Sequence, residues 1–196
     1  MNYYDNMETI EINTESANLT EEQFFQLCIQ NKEINFERDK NKNIIIMSPT
    51  GFFSSRNETR ILSQLEHWNA KSKSGYVTGP SGGYILPNGA MRAPDAAWII
   101  KERMDKLSLR EKERFPHLCP DFIAEVRSKT DSLKLLKEKM NEWIDSGCRL
   151  AWLIDFENKT THIYKPGRDI TLKSFNDTLN GEEVLPGFEL KLTELK

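Results

Sequence analysis

Asp95 and Glu125 are each a lone carboxylate inside an apolar run, in RAPDAAWII and PDFIAEV, and a series of lysines follows the second. Burying an ionised carboxylate in a strand costs several kcal/mol unless a cation or a set of donors compensates it. A chain that does so twice is building a site, and paired carboxylates suit a hard divalent cation such as magnesium or manganese. Such an ion lowers the pKa of bound water and offsets charge growing on phosphoryl oxygens, so the chemistry implied is phosphodiester hydrolysis.

In DFIAEV the pleat puts Phe122, Ala124 and Val126 on one face and Asp121, Ile123 and Glu125 on the other. Asp121 lies about 13 Å from Glu125 by strand rise, too far to share its ligands. Asp95 is the better partner, because an adjacent strand continuing as AAWII brings side chains to about 5 Å. The backbone carbonyl of Val126 could add a third oxygen.

Lys129, Lys134, Lys137 and Lys139 supply candidates for a cationic helper near the water. On a helix Lys134 projects away from the apolar stripe, while Lys137 and Lys139 flank it on opposite sides, and angle alone does not choose between them. The competing reading pairs the two carboxylates with Arg92 or Arg127 and leaves the lysines as a wet helix face.

The elements that position these groups follow from pattern. Residues 1–18 are polar and acidic without periodicity and read as a flexible arm, and residues 19–196 read as one domain. Thr20 and Gln23 form a capping-box signature opening a helix to Asn31. INFERDKNKNIIIMSP reads as a hairpin, and Ile61, Leu65 and Trp68 mark an amphipathic helix over 54–70 with Asn57 and Glu58 near its start. Gly- and Pro-punctuated strands through the middle third suggest a β-meander ending in a long strand over 92–100. A charged helical excursion precedes the Glu125 strand. Asp131 is expected to cap a helix with its stripe at Leu133, Leu136, Met140, Trp143 and Ile144, and Gly147 to stop it. Two strands follow, then a tail of short edge strands. The economical packing is α/β, a mixed sheet flanked by helices.

Composition excludes several classes. No apolar run approaches the roughly 18 residues of a membrane span, and the first residues lack a signal peptide's basic and apolar regions, so a cytoplasmic protein is expected. Cys28, Cys119 and Cys148, with no CxxC, argue against disulfides or structural zinc, and the three histidines form no metal-binding pair. Net charge is −3, but residues 1–39 hold nine acidic and two basic side chains, leaving the remainder net basic. The segment from Arg127 to Arg149 carries six basic against four acidic residues, which permits a polyanionic partner.

The blocks NGAMRAPDAAWI, CPDFIAEVRSKTDSL, LKEKMNEWIDSG and RLAWLIDFENKTTHIYKPG together resemble the Uma family of restriction-endonuclease-like proteins, a bacterial branch of the PD-(D/E)xK nucleases. The likeness runs from about Asn35 to Phe188. It implies a restriction-endonuclease-like core, a Mg2+- or Mn2+-dependent endonuclease and a nucleic-acid partner, DNA above all, with a homodimer compatible. Asp95 takes the family's metal-binding aspartate and Glu125 the acidic position of its ExK element. The third position departs, since Arg127 stands where lysine is common, and the resemblance assigns the lysine to Lys139 in the block Lys137-Glu138-Lys139. Arginine stays charged at ordinary pH, so Arg127 is given a phosphate or structural role. Asn57 or Glu58 is expected to approach the metal.

The alternative to an active nuclease is a nuclease-like domain that has lost turnover and binds nucleic acid or protein. Retention of buried charges disfavours it, because a scaffold without chemistry gains from replacing them with apolar residues.

Overall fold

The computed structural model describes residues 9–195. In chain order these form β1 (Thr9–Ile12), α1 (Glu21–Gln30), β2 (Asn35–Arg38), β3 (Ile44–Met47), α2 (Phe52–Ser72), β4 (Gly75–Thr78), β5 (Tyr84–Ile85), β6 (Met91–Arg92) and β7 (Ala96–Ile100). They continue with α3 (Lys101–Asp105), α4 (Leu109–Lys112), β8 (Phe122–Arg127), α5 (Leu133–Asp145), β9 (Leu150–Asp155), β10 (Thr160–Tyr164), β11 (Thr171–Ser174), β12 (Thr178–Asn180) and β13 (Glu189–Lys191). Short 3-10 turns lie at Glu15–Ala17 and Leu192–Leu195.

Local chemistry explains most boundaries. The Thr20 side chain accepts from Gln23 N–H while the Gln23 side chain accepts from Thr20 N–H, satisfying two donors that would otherwise be orphaned at the start of α1. Asp39 closes the β2–β3 hairpin by accepting from Asn43 N–H at 2.7 Å. Gly147 ends α5 at φ +107°, a conformation that favours glycine.

The larger sheet runs β11-β10-β9-β8-β7-β4 and is mixed, since β8 and β9 are parallel and its other pairs antiparallel. A parallel neighbour requires a crossover, and α5 supplies it. On one face, Ile61 and Leu65 of α2 pack against Phe122, Ala124, Val126 and Trp152, together with tail residues such as Leu185 and Phe188. On the other, Met140 and Trp143 of α5 cover Ile123, Ala151 and Leu153. A central strand buried on both faces reads as a nearly unbroken apolar run, as FIAEV does.

The second sheet runs β1-β3-β2-β6-β5, with Phe24 of α1 packed on Ile44, Ile85 and Met91. It corrects three expectations. Thr9–Ile12, assigned by polarity to the arm, pairs antiparallel with β3; residues 1–8 lie outside the described residues. No meander forms, because β4 pairs with β7 in the larger sheet while β5 and β6 form a hairpin joined to β2 through Arg38 and Met91. The long strand over 92–100 is two strands. Pro94 between them has no N–H to give a ladder, and the chain changes sheets there.

A fourth difference concerns α5. Ser132, not Asp131, caps it by accepting from Leu135 N–H, while Asp131 accepts from Ser128 N–H at 2.8 Å and closes the preceding turn.

Candidate active site

β7 and β8 pair antiparallel with Ala96 opposite Ala124, so the register carried one residue further sets Asp95 against Glu125. Asp95 stands just before β7, where the strand has not yet joined the ladder, and its Oδ2 accepts from Val126 N–H at 2.7 Å. That bond substitutes for the missing strand partner. The N–H and carbonyl of one strand residue point to the same side, so the Val126 carbonyl also faces the edge that β7 leaves open.

Glu125 projects toward α5. Its Oε1 accepts from Trp143 Nε1 at 3.1 Å and makes an ion pair with Lys139 Nζ at 2.9 Å. Among the described residues, Asp95 Oδ1 and Glu125 Oε2 accept no hydrogen bond. Both side chains line a cleft of about 570 Å³ whose walls include Glu37, Glu58, Arg92, Val126 and Lys139.

The electrostatics are those of crowded like charges. Burial raises the Asp95 pKa well above the usual carboxylate range, and Glu125 and Glu58 add to the rise against the opposing pull of Val126 N–H and Lys139. Burial also raises Glu125, with Lys139 opposing and Glu37 adding to it. Glu58 rises through burial and through Glu125 and Asp131. Burial works against the charge on Lys139, but Glu125 and Glu37 overcome it and hold the ammonium above the ordinary lysine range.

A divalent cation fits this donor set. Each of the two carboxylates has one oxygen committed to the protein and both line one cleft with Val126, and added positive charge would relieve the repulsion between them. No group of three His, Cys, Asp or Glu side chains stands at metal-ligating separation among the described residues, so a cation here would rest on two carboxylates and take its other ligands from backbone and water.

The other predicted residues divide clearly. Glu58 lines the cleft, whereas Asn57 is buried on α2 and does not. Lys137 lies on the opposite flank of α5, near enough to His162 to lower its pKa, where burial is the larger cause. Lys134 is 85% exposed and pairs with Glu138. Arg127 is held by Asp155 at 2.8 Å and donates to the Asp131 carbonyl, which makes it a structural residue of the β8–β9 pair. Neither arginine of the competing reading serves the two carboxylates, since Arg92 pairs with Glu37 at 3.0 Å and Glu142 at 2.6 Å.

Glu37 is the residue that sequence reasoning missed. It is a buried carboxylate on β2 whose partners are Lys139, Arg92 and Ala93 N–H. Burial alone would raise its pKa, yet Lys139 and Arg92, with that N–H, bring it below the usual range. The available signal was a lone carboxylate in a short β-rich run, NFER, the feature that marked Asp95 and Glu125.

The crystal structure of a putative nuclease belonging to DUF820 from Anabaena variabilis has a similar fold, at TM-score 0.70 and 17% identity over 83% of this chain and 90% of that one. No curated protein matches the sequence. A family described as "Putative restriction endonuclease", Uma2, matches residues 21–193. With nearly the whole described chain inside that match, the protein belongs to the Uma2 family.

Proposed function

We propose that the protein is a divalent-cation-dependent nuclease that hydrolyses phosphodiester bonds, with DNA as its substrate. The observation that carries this reading is the pair of carboxylates, Asp95 and Glu125, each with one oxygen held by the protein and both lining the same cleft. Magnesium or manganese, held by these two and the Val126 carbonyl, would supply a Lewis acid for the phosphate and an acidified water.

The chain's own residues do the remainder. Val126 N–H and Trp143 Nε1 fix the two carboxylates, so little reorganisation is needed when charge develops. Lys139 is held protonated by its two carboxylates and therefore acts as a fixed cation that orients the water and offsets phosphoryl charge, not as a base. Glu58, which lines the same cleft, would accept a proton or a hydrogen bond from the water.

The test is nicking and cleavage of supercoiled plasmid by the pure protein in magnesium, manganese or chelator. Metal-dependent cutting that falls steeply in Asp95→Asn, Glu125→Gln and Lys139→Met is the expected result. Retention of nucleic-acid binding with no cutting under any metal condition overturns the enzymatic reading in favour of a binding module.

A further inference from the structure

Glu37 belongs to the smaller sheet, yet its partners belong to the candidate active site. Oε1 makes an ion pair with Lys139 Nζ at 2.9 Å and accepts from Ala93 N–H at 3.0 Å, while Oε2 pairs with Arg92 at 3.0 Å. Arg92 turns its Nε to Glu142 Oε2 at 2.6 Å. Glu142 lies three residues beyond Lys139 on α5, so the two share a helix face. A closed ring therefore runs from β2 through β6 to α5 and back, and Lys139 ties it to Glu125 of the larger sheet.

Lys139 stands at 2.9 Å from each of two carboxylates, and only one of them, Glu125, lies in the proposed donor set of the cation. A cation drawing on Glu125 competes with Lys139 for that charge. Glu37 sits outside the competition and keeps its hold. The same oxygen fixes Ala93, two residues before Asp95, with the rigid Pro94 between them.

We infer that Glu37 is a positioning residue of the reaction: from the smaller sheet it holds the Lys139 ammonium in place while Glu125 serves the cation, and it sets the backbone that carries Asp95. The role in a reaction rests on the nuclease reading above. The hold on Lys139 does not, and the two are tested separately.

The kinetic arm compares plasmid cleavage by wild type, Glu37→Met, Lys139→Met and the double variant. Glu37→Met is expected to lower kcat by roughly 10- to 100-fold with KM within about twofold, and the double variant to be no slower than Lys139→Met alone, since residues that act as a unit are non-additive. Arg103→Met, which breaks the ion pair with Asp121 at the far end of β8, should lower Tm and leave kcat unchanged. The second arm follows the Lys139 ammonium by nitrogen-15 NMR, with magnesium and with chelator. Its hydrogens should exchange on the order of tenfold faster in Glu37→Met. Should that variant fail to fold, Glu37→Gln keeps the shape without the charge, and a smaller change in the same direction is expected. Multiplying kinetic losses overturn the positioning role, and unchanged ammonium exchange overturns the hold on Lys139. A wild type that cuts nothing, with exchange accelerated in the variant, sinks the nuclease reading and leaves the hold on Lys139 standing.

Discussion

Two carboxylates on one face, Asp121 just before β8 and Glu125 in its second half, have opposite surroundings. Asp121 is buried and fully engaged, with Oδ2 accepting from Ile100 N–H at 3.0 Å and Oδ1 paired with Arg103 at 2.9 Å and Arg149 at 3.9 Å. Glu125, four residues on, shares one lysine with Glu37 and stands close to Asp95 and Glu58, which carry the same charge. A buried charge surrounded by donors is a structural element, while one surrounded by like charges holds free energy that a ligand can release. The strand itself does not decide which it becomes; the neighbours do.

Charge-neutral substitutions at the two sites should separate these roles most sharply. Asp95→Asn and Glu125→Gln are expected to lower plasmid cleavage by about 10³-fold, the scale of removing a principal stabiliser of the transition state. Asp121→Asn should cut normally and lose roughly 1.5–3 kcal/mol in chemical denaturation, the worth of a hydrogen bond to a charged group. Cleavage lost in Asp121→Asn but kept in Asp95→Asn would reverse the assignment. Lys139→Met should cost about 10²-fold in kcat, since it removes a fixed cation and not a ligand.

Binding should divide the two sites as well. At a metal concentration near 100 Kd, magnesium or manganese should stabilise the wild type and Asp121→Asn by about 2.7 kcal/mol, read as a Tm shift that Asp95→Asn abolishes. Without metal, pH gives a finer test. The folded-state pKa values of Asp95 and Glu125 lie above their unfolded values, so the fold favours the protonated forms. Below the unfolded pKa the proton is bound in both states and nothing is lost; as pH rises through the folded pKa the fold must ionise these groups and stability falls. Asp95→Asn should therefore be more stable than the wild type at neutral pH in chelator, with the difference closing as pH approaches the ordinary carboxylate range. A constant difference across that window would show that Asp95 is not strained. The smallest effect is expected of Lys137→Ala, which should leave cleavage within about twofold, as substitutions away from special features do.

Much of this centre was legible in the chain. Lone carboxylates in FIAEV and PDAAW marked their own cost, and strand alternation put Glu125 on the face opposite Ala124 and Val126. Helical angle left Lys137 and Lys139 undecided; the family resemblance picked Lys139, and the fold pairs that lysine with Glu125 and with Glu37 of the other sheet. Glu37 itself stayed hidden since a hairpin residue shows its neighbours along the strand and not the helix it will meet. The division into two sheets turned on Pro94, where an apolar run that looks continuous gives up its ladder. At Ser132 and Asp131 two good capping residues stood side by side, and composition could not rank them.

The ring through Glu37 also bears on the order in which a ribosome releases the chain. β2 emerges early, carrying a carboxylate whose lysine lies far downstream on α5. Until α5 has left the exit tunnel, Lys139 and Trp143 are missing, and Glu37 and Glu125 have lost a shared cation. Domains fold as units as synthesis proceeds. A nascent fragment therefore cannot complete the charged centre before α5 has emerged. Chemistry that depends on that centre would wait for α5.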